Sequence, residues 1–423
     1  MGSRTKKKLV ALFGAAMISG LAWGQEPAKD GPAAAPPISA ARQAELADPA
    51  NLPDPVSGGT LGYRLGPVVV YPIFGYSSKY DNNIYSQTTG TGSMISTFKA
   101  GGKVEGKKDA DVYTLTFTAD RILYAKSSID SVTNYNTLGE ATLDFGARLG
   151  ANLRAQHIDG TDPRGSVPGP IALVPSNYRQ NYMGGIVKYG VPGAEGRIEL
   201  ELGYLEKAYL NNRDTTAIND RNATDAGATF FWRVMPKTEL LLQAKYTNNS
   251  YALAGSTLPS TDERILGGVK WEATAATTGI FKLGRAKKDF KSALQQDYSS
   301  TNWDAQIRWS PLSYSTVDFS TGRAARETAS ALGSSVLGSS YNASWNHAWT
   351  SQISSNLTAG YSADTYQGTT RNDKIKNYGA KLTYQFRRWL SFGAEYSISD
   401  RDSSDNTADF KRNAGGLFFS VTL

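Results

Sequence analysis

The sequence predicts a transmembrane antiparallel up-and-down β-barrel of about 18 strands, with 16 as the next count. Three observations lead there. Segments of strict two-residue alternation recur about every 20 residues from position 67 to the C-terminus. The connections between them alternate between short turns and long polar loops. The apolar side of each segment carries Tyr and Trp near its ends, while the other side is charged and dotted with Gly.

The chain of 423 residues has 42 Gly, 23 Tyr, 8 Trp and no Cys. The absence of Cys excludes a disulfide scaffold, a thiolate metal site and a lipid-anchored lipoprotein. No stretch after the first 24 residues is apolar for the roughly 20 residues a membrane helix needs.

At the N-terminus, Arg4, Lys6, Lys7 and Lys8 precede the apolar run LVALFGAAMISGLAW. Ala22 and Gly24 place small residues where a signal peptidase reads, so residues 1–24 are expected to be a signal peptide cleaved before Gln25. A single membrane anchor is the alternative. Removing those four basic residues takes the formal charge from +7 to +3, which withdraws the main support for a nucleic-acid partner. Residues 25–65, rich in Ala, Pro and Asp, read as a periplasmic lead-in, and residues 66–423 as the barrel.

Strands are expected to start near 67, 92, 110, 134, 147, 179, 196, 222, 238, 262, 277, 299, 314, 339, 352, 373, 389 and 409. In VYTLTFTADRILYA, Tyr113, Leu115, Phe117 and Ala119 alternate with Thr114, Thr116, Thr118 and Asp120. In RIELELGYLEK, Ile198, Leu200, Leu202 and Tyr204 oppose Arg197, Glu199 and Glu201. WDAQIRW sets Trp303, Ala305, Ile307 and Trp309 against Asp304, Gln306 and Arg308. The leucines of TELLLQAKY are expected to face lipid, with Glu239, Gln243 and Lys245 inside. An even strand number puts both termini in the periplasm. Leu417, Phe419, Val421 and Leu423 share one parity at the end of the chain, the pattern read by the barrel-assembly machinery.

By the same parity argument the lumen wall comprises Arg148, Arg154, Arg197, Glu199, Glu201, Glu239, Lys245, Lys270, Glu272, Lys282, Asp304, Arg308, Lys381 and Glu395. Any one of these is explained by hydration or cross-strand pairing; together they describe a wet, mixed-charge wall of the kind that sets pore selectivity. Phe231, Tyr182 and Phe418 are candidate inward aromatic platforms. Of the two histidines, His347 falls between Trp345 and Trp349 on the lipid side and His157 ends a strand beside Asp159, so neither is placed as a catalytic base. Asp400, Asp402 and Asp405 lack the spacing of a calcium loop. No cofactor, metal or enzymatic activity is expected, and no phosphate-binding loop supplies an energy source.

The hairpin after VVVYPIFGYSSK contains Tyr80, Asp81, Asn82, Asn83, Ile84 and Tyr85. This run resembles the opening signature of the Putative beta-barrel porin 2 family, a Tyr-Asp-polar-Asn-aliphatic-aromatic loop. Similarity continues through MPKTELLLQAKYTNNSY, RILGGVKWEATAATTGIFKLGRAKKDF and the Trp303–Trp309 strand, and so covers most of the chain from 67 onward. The family includes EpsL-like proteins encoded with exopolysaccharide machinery. The resemblance implies a Gram-negative outer-membrane conduit for polysaccharide export, with outer-membrane lipid and lipopolysaccharide around it and a periplasmic polysaccharide-export lipoprotein beside it. A general diffusion porin, or a structural or adhesive barrel, remains the alternative.

Overall fold

In the computed structural model, which describes residues 62–165, 172–191, 194–274, 276–328 and 333–422, a single sheet closes on itself. Strand β1 (Tyr63–Leu65) is short. The wall is built from β2 (Val68–Asp81), β3 (Ser93–Lys108), β4 (Asp111–Tyr124), β5 (Val132–Asp144), β6 (Leu149–Asp162), β7 (Ser176–Tyr189), β8 (Gly196–Tyr209), β9 (Arg221–Met235) and β10 (Thr238–Tyr251). It continues through β11 (Ser260–Thr274), β12 (Thr277–Phe290), β13 (Tyr298–Leu312), β14 (Ser315–Arg326), β15 (Ser335–Ala348), β16 (Ile353–Gln367), β17 (Asn372–Arg387), β18 (Leu390–Ser403) and β19 (Phe410–Thr422).

Each wall strand pairs antiparallel with its chain neighbours, and β19 pairs with β2 from Ala414↔Asp81 to Thr422↔Ile73. The barrel therefore has 18 strands. Closure leaves no unpaired edge, which a bilayer demands because it offers no water to backbone N–H and C=O groups. Turns of two to six residues at one end face loops of up to thirteen at the other. Both β1 and the end of β19 lie at the short-turn end, the periplasmic side of a porin architecture.

Parity fixes the two faces. Leu115, Leu202, Phe230, Leu242, Ile265, Leu382 and Leu417 are all exposed on the outside, forming the apolar band. The last two leucines of the ELLL run separate: Leu242 points outward, but Leu241 shares the parity of Glu239 and is buried inside against Phe231 across the ladder. The expectation that all three leucines face lipid is thus corrected at Leu241. Aromatic residues crowd the short-turn rim outside: Trp309, Tyr314, Trp349, Tyr384 and Trp389 are all exposed there. His347 belongs to this girdle, with its ring 4.3 Å from Trp349 and 5.3 Å from Trp345.

The signal peptide, most of the 25–65 lead-in and Leu423 lie outside the described residues. β1 belongs to the end of that lead-in and is structured. It pairs with Val68–Val70 of β2 and so extends the cover of that edge past Ile73, where β19 ends.

Candidate functional site

The inward face is a lattice of ion pairs between neighbouring and next-neighbouring strands. Lys245 on β10 reaches Glu201 on β8 at 2.5 Å. Arg197 pairs with Glu199 on its own strand and with Glu239 at 3.2 Å. Lys270 lies 3.9 Å from Glu239 and 3.5 Å from Glu272. Lys282 meets Asp304 at 2.8 Å, and Arg308 meets Asp318 at 2.6 Å. Arg154 donates to Gln156 Oε1 at 3.2 Å and stands opposite Glu140; Lys381 stands opposite Glu395. Period-two geometry brings these groups together because the strand register sets charges of opposite sign across from each other.

Arg148 is the exception. β6 begins one residue later, at Leu149, so Arg148 sits exposed in the 145–148 turn rather than on the wall. Glu272 is at the turn end of β11 and largely exposed.

The inward aromatics are covered. The Arg197 guanidinium lies 4.0 Å above the Phe231 ring, and Lys381 Nζ lies 4.1 Å above Phe418. Both rings are buried. Each cation sits on the ring face, where the π-electrons attract it, and that contact removes the ring as a sugar platform. Tyr182 lies flat against the wall, its ring occupying the space that a Cβ would need at Gly184. Beside Phe418, at the periplasmic end, a cavity of about 630 Å³ opens among Lys99, Asn346, Asn356, Lys381 and Gln385.

At the opposite end the inward charges are more deeply buried. Lys288, only 1% exposed, is held by Asp262 at 3.0 Å and by Glu327 at 2.6 Å. Tyr251 donates to the other oxygen of Glu327, bridging β10 to the loop that follows β14. A second knot joins Arg371 to Asp373 through two hydrogen bonds of 2.9 and 2.8 Å, with Ser403 donating to the same carboxylate at 2.6 Å. Sequence parity places Lys288 and Asp373 inside but does not show that loop residues close over them.

The signature run forms two devices. Asp81 is completely buried and accepts from Arg412 on β19 at 2.7 and 2.5 Å. Asn82 exchanges hydrogen bonds with Asn413: its N–H donates to the Asn413 carbonyl at 3.1 Å, and its side-chain oxygen accepts from Asn413 N–H at 2.8 Å. Asn83 Nδ2 donates to the Lys411 carbonyl at 3.0 Å. These three residues stitch the first wall strand to the last. Tyr80 points outward.

Ile84 and Tyr85 turn the other way. Ile84 packs with Ile95 and Ile122, and the Tyr85 hydroxyl donates to Asp130 at 2.8 Å. Arg164 clamps the same carboxylate with two bonds of 2.7 Å, and a Cβ on Gly165 (φ +80°) would overlap the Tyr85 carbonyl. The loops 82–92, 125–131 and 163–175 are thereby tied together. Burial pushes the Asp130 carboxyl upward, but hydrogen bonds from Arg164, Ser127 and Tyr85 outweigh it and hold the group below its ordinary range. Burial raises the Tyr85 phenol. Asp130 and Arg164 escaped sequence reasoning because neither belongs to an alternating segment.

Among solved structures, the chain is similar to the outer membrane protein OpdK from Pseudomonas aeruginosa, with 10% identity, a TM-score of 0.46 and coverage of 84% of this chain and 99% of that one. It is similar at 10% identity and TM-score 0.47 to Pseudomonas aeruginosa OccK2 (OpdF) in complex with glucuronate, covering 84% and 98%. A bacterial polysaccharide outer membrane secretin aligns at 10% identity and TM-score 0.36, covering 83% and 98%. No curated protein matches the sequence. The sequence profile of one family matches residues 54–422, a span that includes every described residue. The chain is an outer-membrane, porin-like β-barrel and belongs to the Putative beta-barrel porin 2 family.

Proposed function

We propose that the barrel is a passive conduit through which an extracellular polysaccharide leaves the cell. The observation that carries this reading is the compensated wall: Lys245 with Glu201, Arg197 with Glu199 and Glu239, Lys282 with Asp304, and Arg308 with Asp318. Pores that select ions present a ring of one sign. A wall whose charges are neutralised in pairs is wet without being strongly selective, which suits a hydroxyl-rich, weakly charged chain. The resemblance to EpsL-like proteins supports the same cargo class. A periplasmic polysaccharide-export lipoprotein would deliver the polymer, and the driving force would come from that side.

One observation favours a second reading, diffusion of small solutes. Glu327, Tyr251 and Lys288 meet at the loop end, and the first three loops are tied by Asp130 and Arg164. Loops tied in this way would narrow the mouth, which suits small cargo. Deleting the gene separates the two. Loss of surface polymer, with cytoplasmic precursor synthesis intact, supports export; normal surface polymer with altered uptake of small sugars supports diffusion.

A further inference from the structure

The outside of the wall carries charges as well, and their placement is uneven. Apart from Lys108 and Asp111 at a periplasmic turn, the outward-facing charged side chains of the described strands gather toward the loop end, where the outer leaflet lies. Most have a partner of opposite sign. Lys287 pairs with Asp289 at 2.8 Å and stands across from Glu263; Arg179 pairs with Asp159.

Three arginines do not: Arg121 stands alone on β4 and donates to the Thr133 hydroxyl at 3.1 Å, while the other two stand near each other. Arg285 on β12 faces Ile265 on one side and Thr301 on the other. Arg323 on β14 lies between Trp303 and Ser339. Neither forms an ion pair among the described residues, and Arg323 Nε is buried without a hydrogen-bond partner. The Trp303 indole lies between them on β13; its N–H is satisfied by Thr321 at 2.9 Å and its ring lies 5.7 Å from the Arg323 guanidinium. Below this level the surface is apolar, with Phe281, Leu283 and Phe319 exposed.

A guanidinium on a lipid-facing wall is unfavourable at the bilayer midplane and tolerated near the interface. Its five donors in a fixed fork suit an oxygen-rich anion. Two strands and two residues of offset separate the arginines by roughly 12 Å at the backbone. Flexible side chains on that base can hold one phosphate or span two on the same molecule.

We propose that Arg285 and Arg323, with Trp303 between them, form a binding site for a phosphorylated glycolipid of the outer leaflet. The guanidinium groups take the phosphates, the indole lies against the sugar, and the apolar wall below takes the acyl chains. The counter-charge missing from the protein is supplied by the lipid.

The experiment uses the full-length barrel, refolded in detergent and checked for the folded band by its heat-dependent gel mobility. Binding of bisphosphorylated lipid A, of its dephosphorylated form and of phosphatidylglycerol is measured by native mass spectrometry. The wild type should bind bisphosphorylated lipid A at least tenfold more tightly than either other lipid, as charge-assisted, multidentate contacts to two phosphates require. R285Q/R323Q should lose about tenfold of that affinity, while R121Q, another outward arginine of the loop end, should bind like the wild type. R285K/R323K keeps the charge without the fork and serves if the glutamine pair does not fold; it should bind several-fold more weakly. Equal binding by either pair and the wild type, or equal binding of phosphatidylglycerol and lipid A, would overturn the proposal.

Discussion

The carboxylate of Asp81 and the guanidinium of Arg412 are 331 residues apart in sequence and 2.7 Å apart in the barrel. They hold the first wall strand to the last at its loop end, with Asn82 and Asn83 adding bonds to Asn413 and Lys411 on either side. The Asp81–Asn83 run is therefore a closure device as well as a turn.

Removing one partner shows its weight. Asp81→Ala leaves the Arg412 charge and the Asn83 N–H without their acceptor in a buried place, and should destabilise the barrel by about 2–3 kcal/mol. Urea titration of the barrel in lipid vesicles would give the value. Asp81→Asn, which keeps an acceptor oxygen, should cost less. Equal stability of the wild type and Asp81→Ala would show that the ladder alone holds the seam.

The lipid face can be tested within one strand. Leu242 is exposed outward, whereas Gln243 faces in and donates to Thr229 at 2.9 Å. Leu242→Arg should cost about 2–4 kcal/mol near the bilayer midplane, and Gln243→Arg much less. The same vesicle titration compares them, and equal costs would contradict the inside-out assignment.

At the mouth, Lys288 neutralises two carboxylates at once. Lys288→Met leaves Asp262 and Glu327 facing each other without their cation, and should cost about 3–5 kcal/mol at neutral pH. Glu327→Gln is gentler: it should loosen the tie between β14's loop and Tyr251 and raise single-channel conductance in planar bilayers. Unchanged conductance would mean that this loop does not narrow the path.

The Tyr85–Asp130–Arg164 tie carries a pH signature. The Asp130 carboxyl is held below its ordinary value of 3.8, so its contribution is fully present above about pH 4 and is lost as pH falls through the lowered value. Hydrogen exchange of the 82–92 loop should be flat from pH 7 to about pH 4, after correction for the intrinsic rate, and should accelerate below it. Arg164→Ala should exchange quickly throughout. A wild-type loop that opens already near pH 6 would point to a different titrating group.

Much of this fold was readable from alternation, because lipid on one side and water on the other force a period of two on every strand. The eighteen expected starts fall within about four residues of those observed, with the largest slip at β15, expected near 339 and beginning at Ser335. Ser335 and Val336 are both buried, so the change of face is muted there and alternation fades. Arg148 failed for a related reason, since parity extends on paper into a turn that has no parity. The partners of the wall charges were not readable. Pairing of Lys245 with Glu201 depends on which strands adjoin and on their register, and neither is written in any one segment. The loop ties through Asp130, Arg164 and Glu327 obey no period and had no signal.

β1 and β19 both run antiparallel along the same edge of β2, β19 ending opposite Ile73 and β1 resuming opposite Val70. One therefore points toward the start of the other across a gap of two ladder positions. In effect the wall is a ring cut at a single point, and the cut is incidental to how it is held. A chain rearranged to run from Thr422 into Tyr63 through a brief linker, and opened instead in a long loop such as 252–259, would preserve every pairing. The order in which strands leave the ribosome is then separable from the shape they reach.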